Sequence, residues 1–289
     1  MVSLAKLGAS LLLGAAVAAS ASGGSFPDSS AGDRAATTSL FAQSAAQILQ
    51  HEFKSREVSY LLLDARTGSL VVSHWDGLER PIPMGSLVKP FITVAYGDEH
   101  EFRYPAYVCK GQVGGCWLPR GHGGLDIVSA IAYSCNSYFR MLTVNMSSAD
   151  VFPVARQFGL DSPTAKLSGP DLIGVGNRWL ISPLHMARAY VELNRRRDQP
   201  GAREALSGML QSALRGTGSE VGRALKHSVA LVKTGTAACT HLPAAPGDGF
   251  VVALFPAEEP ELLLMVRVHG VPGAKASVTA GRMLRRIEE

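Results

Sequence analysis

Between Leu40 and Phe53 the apolar residues Leu40, Phe41, Ala45, Ile48, Leu49 and Phe53 return at helical spacing, the signature of an amphipathic helix. The pattern then changes. Val58–Leu63 and Ser69–His74 are strand-like and enclose Asp64-Ala65-Arg66-Thr67-Gly68, so a β-hairpin with an Asp…Gly turn is expected. A helix is expected to begin near Gly85. Pro90 helps to place that start, because a residue without an N–H does least harm in the first helical turn. Residues 124–144 read as one longer helix, and 149–158, 182–196 and 202–215 as further helices. Three strand-like runs follow, Ser228–Thr234, Phe250–Phe255 and Leu262–Val268, with Pro256–Pro260 as the turn between the last two. Residues 275–288 close the chain as an amphipathic helix. Strands at both ends around a helical middle predict an α/β (α+β) fold. Its expected form is a five-stranded antiparallel sheet flanked by helices, with an all-helical lobe inserted between the N- and C-terminal strands. No internal repeat is visible. A crevice between sheet and lobe is where a site is expected.

The N-terminus departs from this pattern. Lys6 precedes the apolar run Leu7–Ala19, and Ala19-Ser20-Ala21 has the small-x-small form of a signal peptidase site. Residues 1–21 therefore read as a secretory signal. The run is short against the roughly 20 apolar residues of a membrane span, and an uncleaved N-terminal anchor is the alternative. Residues 22–38, rich in Ser, Gly, Ala and Asp, read as a linker, which leaves 39–289 as the folded domain. That domain is expected to be exported, in the periplasm or another extracytoplasmic space. With 289 residues, 46% of them hydrophobic, the chain can bury a sizeable core. The net charge is +4, and the basic run Arg195-Arg196-Arg197 ends a helical pattern, where cations complement the helix dipole. Nucleic-acid binding is thus a poor reading.

Export bears on the cysteines, since an exported chain can keep disulfides. Cys109 and Cys116 flank the Gly-rich turn Lys110–Gly115, and a disulfide between them is expected. A zinc site is disfavoured, because the Cys/His spacing matches no usual finger. Cys135 and Cys239 read as small buried thiols.

The chemistry lies in three short segments. Ser86 and Lys89 are three apart at a helix start and share one face. A serine hydroxyl becomes a nucleophile when a base removes its proton, and a lysine is such a base only when burial or another cation lowers its pKa. Taken alone the pair is weak, since a chance Ser-x-x-Lys occurs about once in a chain of this length. Ser134-Cys135-Asn136 adds a hydroxyl that could relay a proton and an amide that could hold a substrate; alone, it is more often a cap or a turn. Lys233-Thr234-Gly235-Thr236 ends the apolar strand Val229–Val232. There Lys233 could bind a carboxylate or lower a second lysine's pKa, Thr234 and Thr236 could hold the same carboxylate, and Gly235 could let a ligand backbone approach. The N–H groups of Thr236 and Ser86 could form an oxyanion hole. A chance Lys-Thr-Gly is much rarer, about once in several thousand positions. The order and context of the three segments carry more weight than any one of them.

On these motifs the chain resembles the transpeptidase domain of penicillin-binding proteins, within the serine D,D-peptidase and β-lactamase superfamily. The likeness runs from about Ser55 to Ile287. It includes Pro83–Phe91, the approach from His122 through Asp126 and Ala130 to Phe139, Gly174-Val175-Gly176 with Trp179–Tyr190, and Leu231–Ala237. It implies acylation of Ser86 by a peptidoglycan D-alanyl-D-alanine stem, with loss of D-alanine and transfer of the acyl group to an amine or to water. β-Lactams would acylate the same serine. Lys89 would be the general base, Ser134 the proton relay, and Asn136, Lys233, Thr234, Gly235 and Thr236 the substrate holders. No metal and no cofactor are implied; a cell-wall glycosyltransferase or hydrolase would be a partner. Val232 replaces a glycine usual before the Lys, so a tighter strand edge is expected. The short interval between Ser86 and Ser134 suggests a reduced, stand-alone form. Two other readings stay open: a lysine-base β-lactamase of class D type, and a non-catalytic sensor that binds β-lactams or peptidoglycan. Elsewhere, His122 reads as a loop histidine, His185 and Trp179 as packing residues, and Arg188 as an ion-pair partner.

Overall fold

A computed structural model describes residues 39–162, 166, 167, 169–239 and 247–289. The expected signal and linker, 1–38, lie outside the described residues. Helix α1 (Leu40–Glu52) starts at Ser39, whose hydroxyl accepts from the Ala42 N–H at 3.1 Å, an N-cap that satisfies one orphan donor. Strands β1 (Val58–Asp64) and β2 (Leu70–His74) form the expected hairpin. Its turn is closed by Asp64 Oδ1, which accepts from the N–H groups of Arg66 and Thr67, both at 2.9 Å. Strand β3 (Ile82–Pro83) leads into a 3₁₀ turn, Gly85–Val88, and helix α2 (Lys89–Glu99). Pro90 stands in the first turn of α2, as expected.

Next come β4 (Tyr107–Cys109), a 3₁₀ turn Gly111–Gly114 and β5 (Gly123–Leu125). Helices α3 (Ile127–Ala132), α4 (Asn136–Leu142), α5 (Ser148–Gln157) and α6 (Gly169–Leu172) make up the middle of the chain. After β6 (Leu180–Ile181) come α7 (Pro183–Arg195), α8 (Ala202–Arg215) and α9 (Ser219–Ala224). Strands β7 (Leu231–Ala237), β8 (Asp248–Phe255) and β9 (Leu262–Val268) and helix α10 (Gly273–Glu288) complete the chain. No helix among the described residues is long and apolar enough to cross a membrane.

The main sheet runs β2-β1-β9-β8-β7, antiparallel throughout. It is the expected five-stranded sheet, built from both ends of the chain, but the inserted part is not all-helical as expected: β3 pairs with β6 and β4 with β5, two short antiparallel ribbons set by contacts between segments distant in sequence. Side chains alternate across it. Leu61, Leu63, Leu231, Val252, Leu254, Leu263 and Met265 join the core shared with α2, α3, α4, α7 and α8. Tyr60, Leu62, Val232, Val251, Ala253, Leu264 and Val266 join a second core under α1, α9 and α10. In α10 the residues Ala276, Ala280, Met283, Leu284 and Ile287 form the stripe that packs there. Strand β7 is an edge strand, so its free side is open to the lobe.

One predicted helix is divided. Within residues 124–144, Gly124 and Leu125 belong to β5, and the helical part forms α3 and α4, separated at Tyr133–Cys135, with Ser134 at φ +50°. A non-glycine residue in the left-handed region costs energy and clusters at functional sites.

Candidate active site

The three segments converge between β7 and the helical lobe. Ser86 lies in the 3₁₀ turn before α2 and is half-buried. Lys89 opens α2 and is fully buried, as is Lys233 on β7. Both amines reach the loop between α3 and α4. Lys89 Nζ donates to the Ser134 carbonyl at 2.8 Å, to Asn136 Oδ1 at 2.6 Å and to Ser134 Oγ at 3.4 Å. Lys233 Nζ donates to the same Ser134 Oγ at 2.9 Å and to its neighbour's carbonyl, Thr234 O, at 2.6 Å. The left-handed Ser134 thus presents its carbonyl to one lysine and its hydroxyl to both. No hydrogen bond joins the Ser86 hydroxyl to either amine in this structure, which matches the loose catalytic contacts common before substrate binds.

Two cations in one buried space oppose each other's charge. Burial pulls the Lys89 amine down from 10.5 to about 7; nearby Arg140 adds to this and the Cys135 and Cys116 sulfurs oppose it. Burial, with the charge of Lys89, holds Lys233 well below its ordinary value. A neutral lysine amine near pH 7 is available as a base.

Glycines let the first and third segments touch. Gly85 has φ +58°, and a Cβ there would stand 2.2 Å from the Thr236 carbonyl oxygen. At Gly235 a Cβ would stand 2.7 Å from the Met84 carbonyl oxygen, and at Gly174 (φ +75°) 2.0 Å from that of Gly85. The expectation for Gly235 was room for a ligand backbone; what approaches it here is the turn that carries Ser86. Thr236 is exposed at the same edge, and its backbone lies against Gly85. Tyr190, buried on α7, donates to the Leu87 carbonyl at 2.8 Å and fixes the turn from below.

The family model for the penicillin binding protein transpeptidase domain matches residues 58–289. The chain belongs to that family. Its members carry peptidoglycan-related acyl-serine chemistry. Solved structures repeat the fold of this transpeptidase domain. Pseudomonas aeruginosa PBP2, solved in complex with WCK 5153, superposes with TM-score 0.69 at 18% identity, over 86% of this chain and 73% of that one. The D,D-transpeptidase domain of an Eggerthella lenta peptidoglycan glycosyltransferase gives 0.65 at 16%, over 86% and 81%. Helicobacter pylori PBP2, solved with MreC, gives 0.69 at 16%, over 86% of this chain but 61% of that one. Comparison with curated protein sequences finds no match.

The transpeptidase domain has features the sequence did not announce. Thr217, in the loop after α8, meets Thr234 Oγ1 at 2.5 Å, while its N–H donates to the Ala132 carbonyl at 3.1 Å. It therefore ties the third segment to the end of α3. Its signal in sequence is only the pair of flanking glycines, and Gly218 has its own reason, since a Cβ there would stand 2.5 Å from Val232. The Val232 side chain points away from the cleft into the second core. Arg188 donates to the Gly68 carbonyl at 3.4 Å instead of joining an ion pair. His185 and Trp179 do pack and bond structurally, both through Asp161: His185 Nδ1 lies 2.8 Å from its carboxylate, and Trp179 Nε1 donates to its carbonyl at 2.9 Å.

The cysteines also correct the sequence reading. All four are free thiols, and the expected Cys109–Cys116 disulfide is not formed. The Gly-rich turn does bring the two together, but the Cys116 sulfur faces Cys135 Sγ at 3.8 Å and His122 Nδ1 at 3.5 Å. Pairing two of the cysteines would ignore these neighbours. His122, expected as a plain loop residue, is half-buried between Trp117 and Tyr133.

Proposed function

We propose that the chain is an exported serine D,D-peptidase that acylates Ser86 with the D-alanyl-D-alanine end of a peptidoglycan stem. The observation that carries this reading is the pair of buried lysines on one hydroxyl, with Lys89 pulled to about 7 beside the Ser86 turn. Neutral Lys89 takes the Ser86 hydroxyl proton as Oγ attacks the penultimate carbonyl carbon. The N–H groups of Ser86 and Thr236 receive the negative oxygen. Ser134, within reach of both amines, passes a proton to the departing nitrogen; the C–N bond breaks and D-alanine leaves with that proton. The ester on Ser86 then goes to an amine or to water. Asn136 and the edge Lys233–Thr236 hold the peptide in line with β7, and Thr234 takes its terminal carboxylate. A β-lactam enters the same path, with its ring amide as the bond broken.

The N-terminal charge, apolar run and Ala19-Ser20-Ala21 support export and residence outside the cytoplasm. The likeness to a Helicobacter pylori protein solved with MreC, and to a peptidoglycan synthase complex described as coordinating polymerization and crosslinking, supports work beside a cell-wall polymerase. The test is D-alanine release from a D-alanyl-D-alanine pentapeptide, with and without an amine acceptor. Release that Ser86→Ala abolishes supports the reading. No release from the intact chain contradicts it.

A further inference from the structure

Behind the second motif, four side chains meet that the acylation chemistry does not use. Cys109 ends β4, Cys116 follows the 3₁₀ turn, His122 precedes β5, and Cys135 caps α4 between Ser134 and Asn136. Their ligand atoms, three sulfurs and one imidazole nitrogen, all lie within 4.8 Å of one another. All three cysteines are buried and His122 is half-buried. We propose that Cys109, Cys116, His122 and Cys135 form a closed structural site for a divalent zinc ion that braces the loop carrying Ser134 and Asn136.

The spacing fits the ion. A tetrahedral zinc with bonds of about 2.3 Å to sulfur and about 2.0 Å to nitrogen has sulfur–sulfur edges of about 3.8 Å and sulfur–nitrogen edges of about 3.5 Å. Cys116 Sγ lies 3.8 Å from Cys135 Sγ and 3.5 Å from His122 Nδ1. A disulfide would need sulfurs about 2.05 Å apart. The Tyr138 N–H, at the start of α4, lies 3.5 Å from Cys135 Sγ. The backbone is built for convergence. Gly111 (φ +76°) and Gly121 (φ +79°) would place a Cβ 2.1 Å from the Pro119 carbonyl oxygen and 2.2 Å from that of Cys109, so only glycine lets the two arms of the turn close. Rings of Trp117 and Tyr133 fix His122. Three thiolates and one imidazole are a soft, tetrahedral, closed donor set, which selects zinc over hard cations and leaves no open position for a substrate. On binding, the thiol protons leave to solvent.

The test uses the full chain, purified reduced and without chelator, and reads no turnover, so its failure is distinct from failure of the proposed activity. Cobalt(II) added to the metal-free protein should give tetrahedral visible bands with thiolate charge transfer, saturating at one ion per chain and displaced by zinc. Cys116→Ser and His122→Ala should each weaken zinc by more than the roughly 10–100-fold of outer-shell changes, and Cys239→Ser should leave it intact. Should Cys116→Ser fail to fold, the wild-type cobalt spectrum and the melting temperature with and without zinc decide alone, zinc being expected to raise it. Absence of a thiolate band from protein whose four thiols titrate as free overturns the site, as does its loss in Cys239→Ser with retention in Cys116→Ser. Bracing is read separately: removing zinc should slow penicillin acylation of Ser86, and an unchanged rate overturns that part.

Discussion

If Lys89 takes the proton from Ser86, acylation must follow the neutral fraction of its amine. That amine titrates at about 7 instead of 10.5 because it is fully buried. The sign is fixed by the chemistry: the protonated amine cannot accept a proton, so the rate falls with acid and rises with base. The neutral fraction is about 1% at pH 5, one half at pH 7 and about 99% at pH 9, a rise of about 100-fold between the extremes. A lysine left at 10.5 would be about 0.03% neutral at pH 7, and its rate would still climb tenfold per pH unit at pH 9. The assay is the second-order rate of labelling by a fluorescent penicillin across pH 5–9. A plateau above pH 8 with a midpoint near 7 is expected. Lys89→Arg, which stays charged, should cost about 10²–10⁴ in rate, the contribution of a general base. A flat profile, a rate still rising tenfold per unit at pH 9, or an unimpaired Lys89→Arg variant would refute this role.

Gly85→Ala places a methyl 2.2 Å from the Thr236 carbonyl oxygen at φ +58°; the left-handed backbone alone costs about 1–2 kcal/mol, so thermal melting should drop and penicillin labelling should fall together. Thr217→Val keeps volume but removes the hydroxyl that meets Thr234 Oγ1 at 2.5 Å. It should cost about 1–3 kcal/mol in denaturant unfolding, the range for an unsatisfied buried partner, and should slow acylation. Asp248→Asn strips the carboxylate from Arg267, whose side chain is 9% exposed; breaking a buried pair typically costs about 3–5 kcal/mol, readable as a lower urea midpoint.

What sequence could show follows from the range of each interaction. The β1–β2 hairpin was readable because Asp64 and Gly68 write their turn locally. Ser86, Lys89, Ser134, Asn136 and Lys233–Thr236 stood out as candidates because residue type and order are local features, and the fold brings Lys89, Ser134, Asn136 and Lys233 together. The break between α3 and α4 was not. Ile127, Ala130, Ile131, Tyr138, Phe139 and Leu142 keep helical spacing across it and are all buried, so periodicity alone predicts one helix. The strand before the third motif begins at Leu231 instead of Ser228, an end set by pairing with β8. Thr217 acts through partners 17 and 85 positions away, which no local pattern encodes. For Cys109 and Cys116, the Gly-rich turn announced that the two meet. It could not announce that Cys135, from the second motif, meets them too.

The proposed activity turns on a single bond, the acyl ester on Ser86. Intact mass after exposure to benzylpenicillin, followed by peptide mapping, reads that bond. One added penicillin per chain is expected, mapped to Ser86 and absent from Ser86→Ala. An unmodified wild-type chain, or an adduct that persists in Ser86→Ala, would rule Ser86 out as the nucleophile.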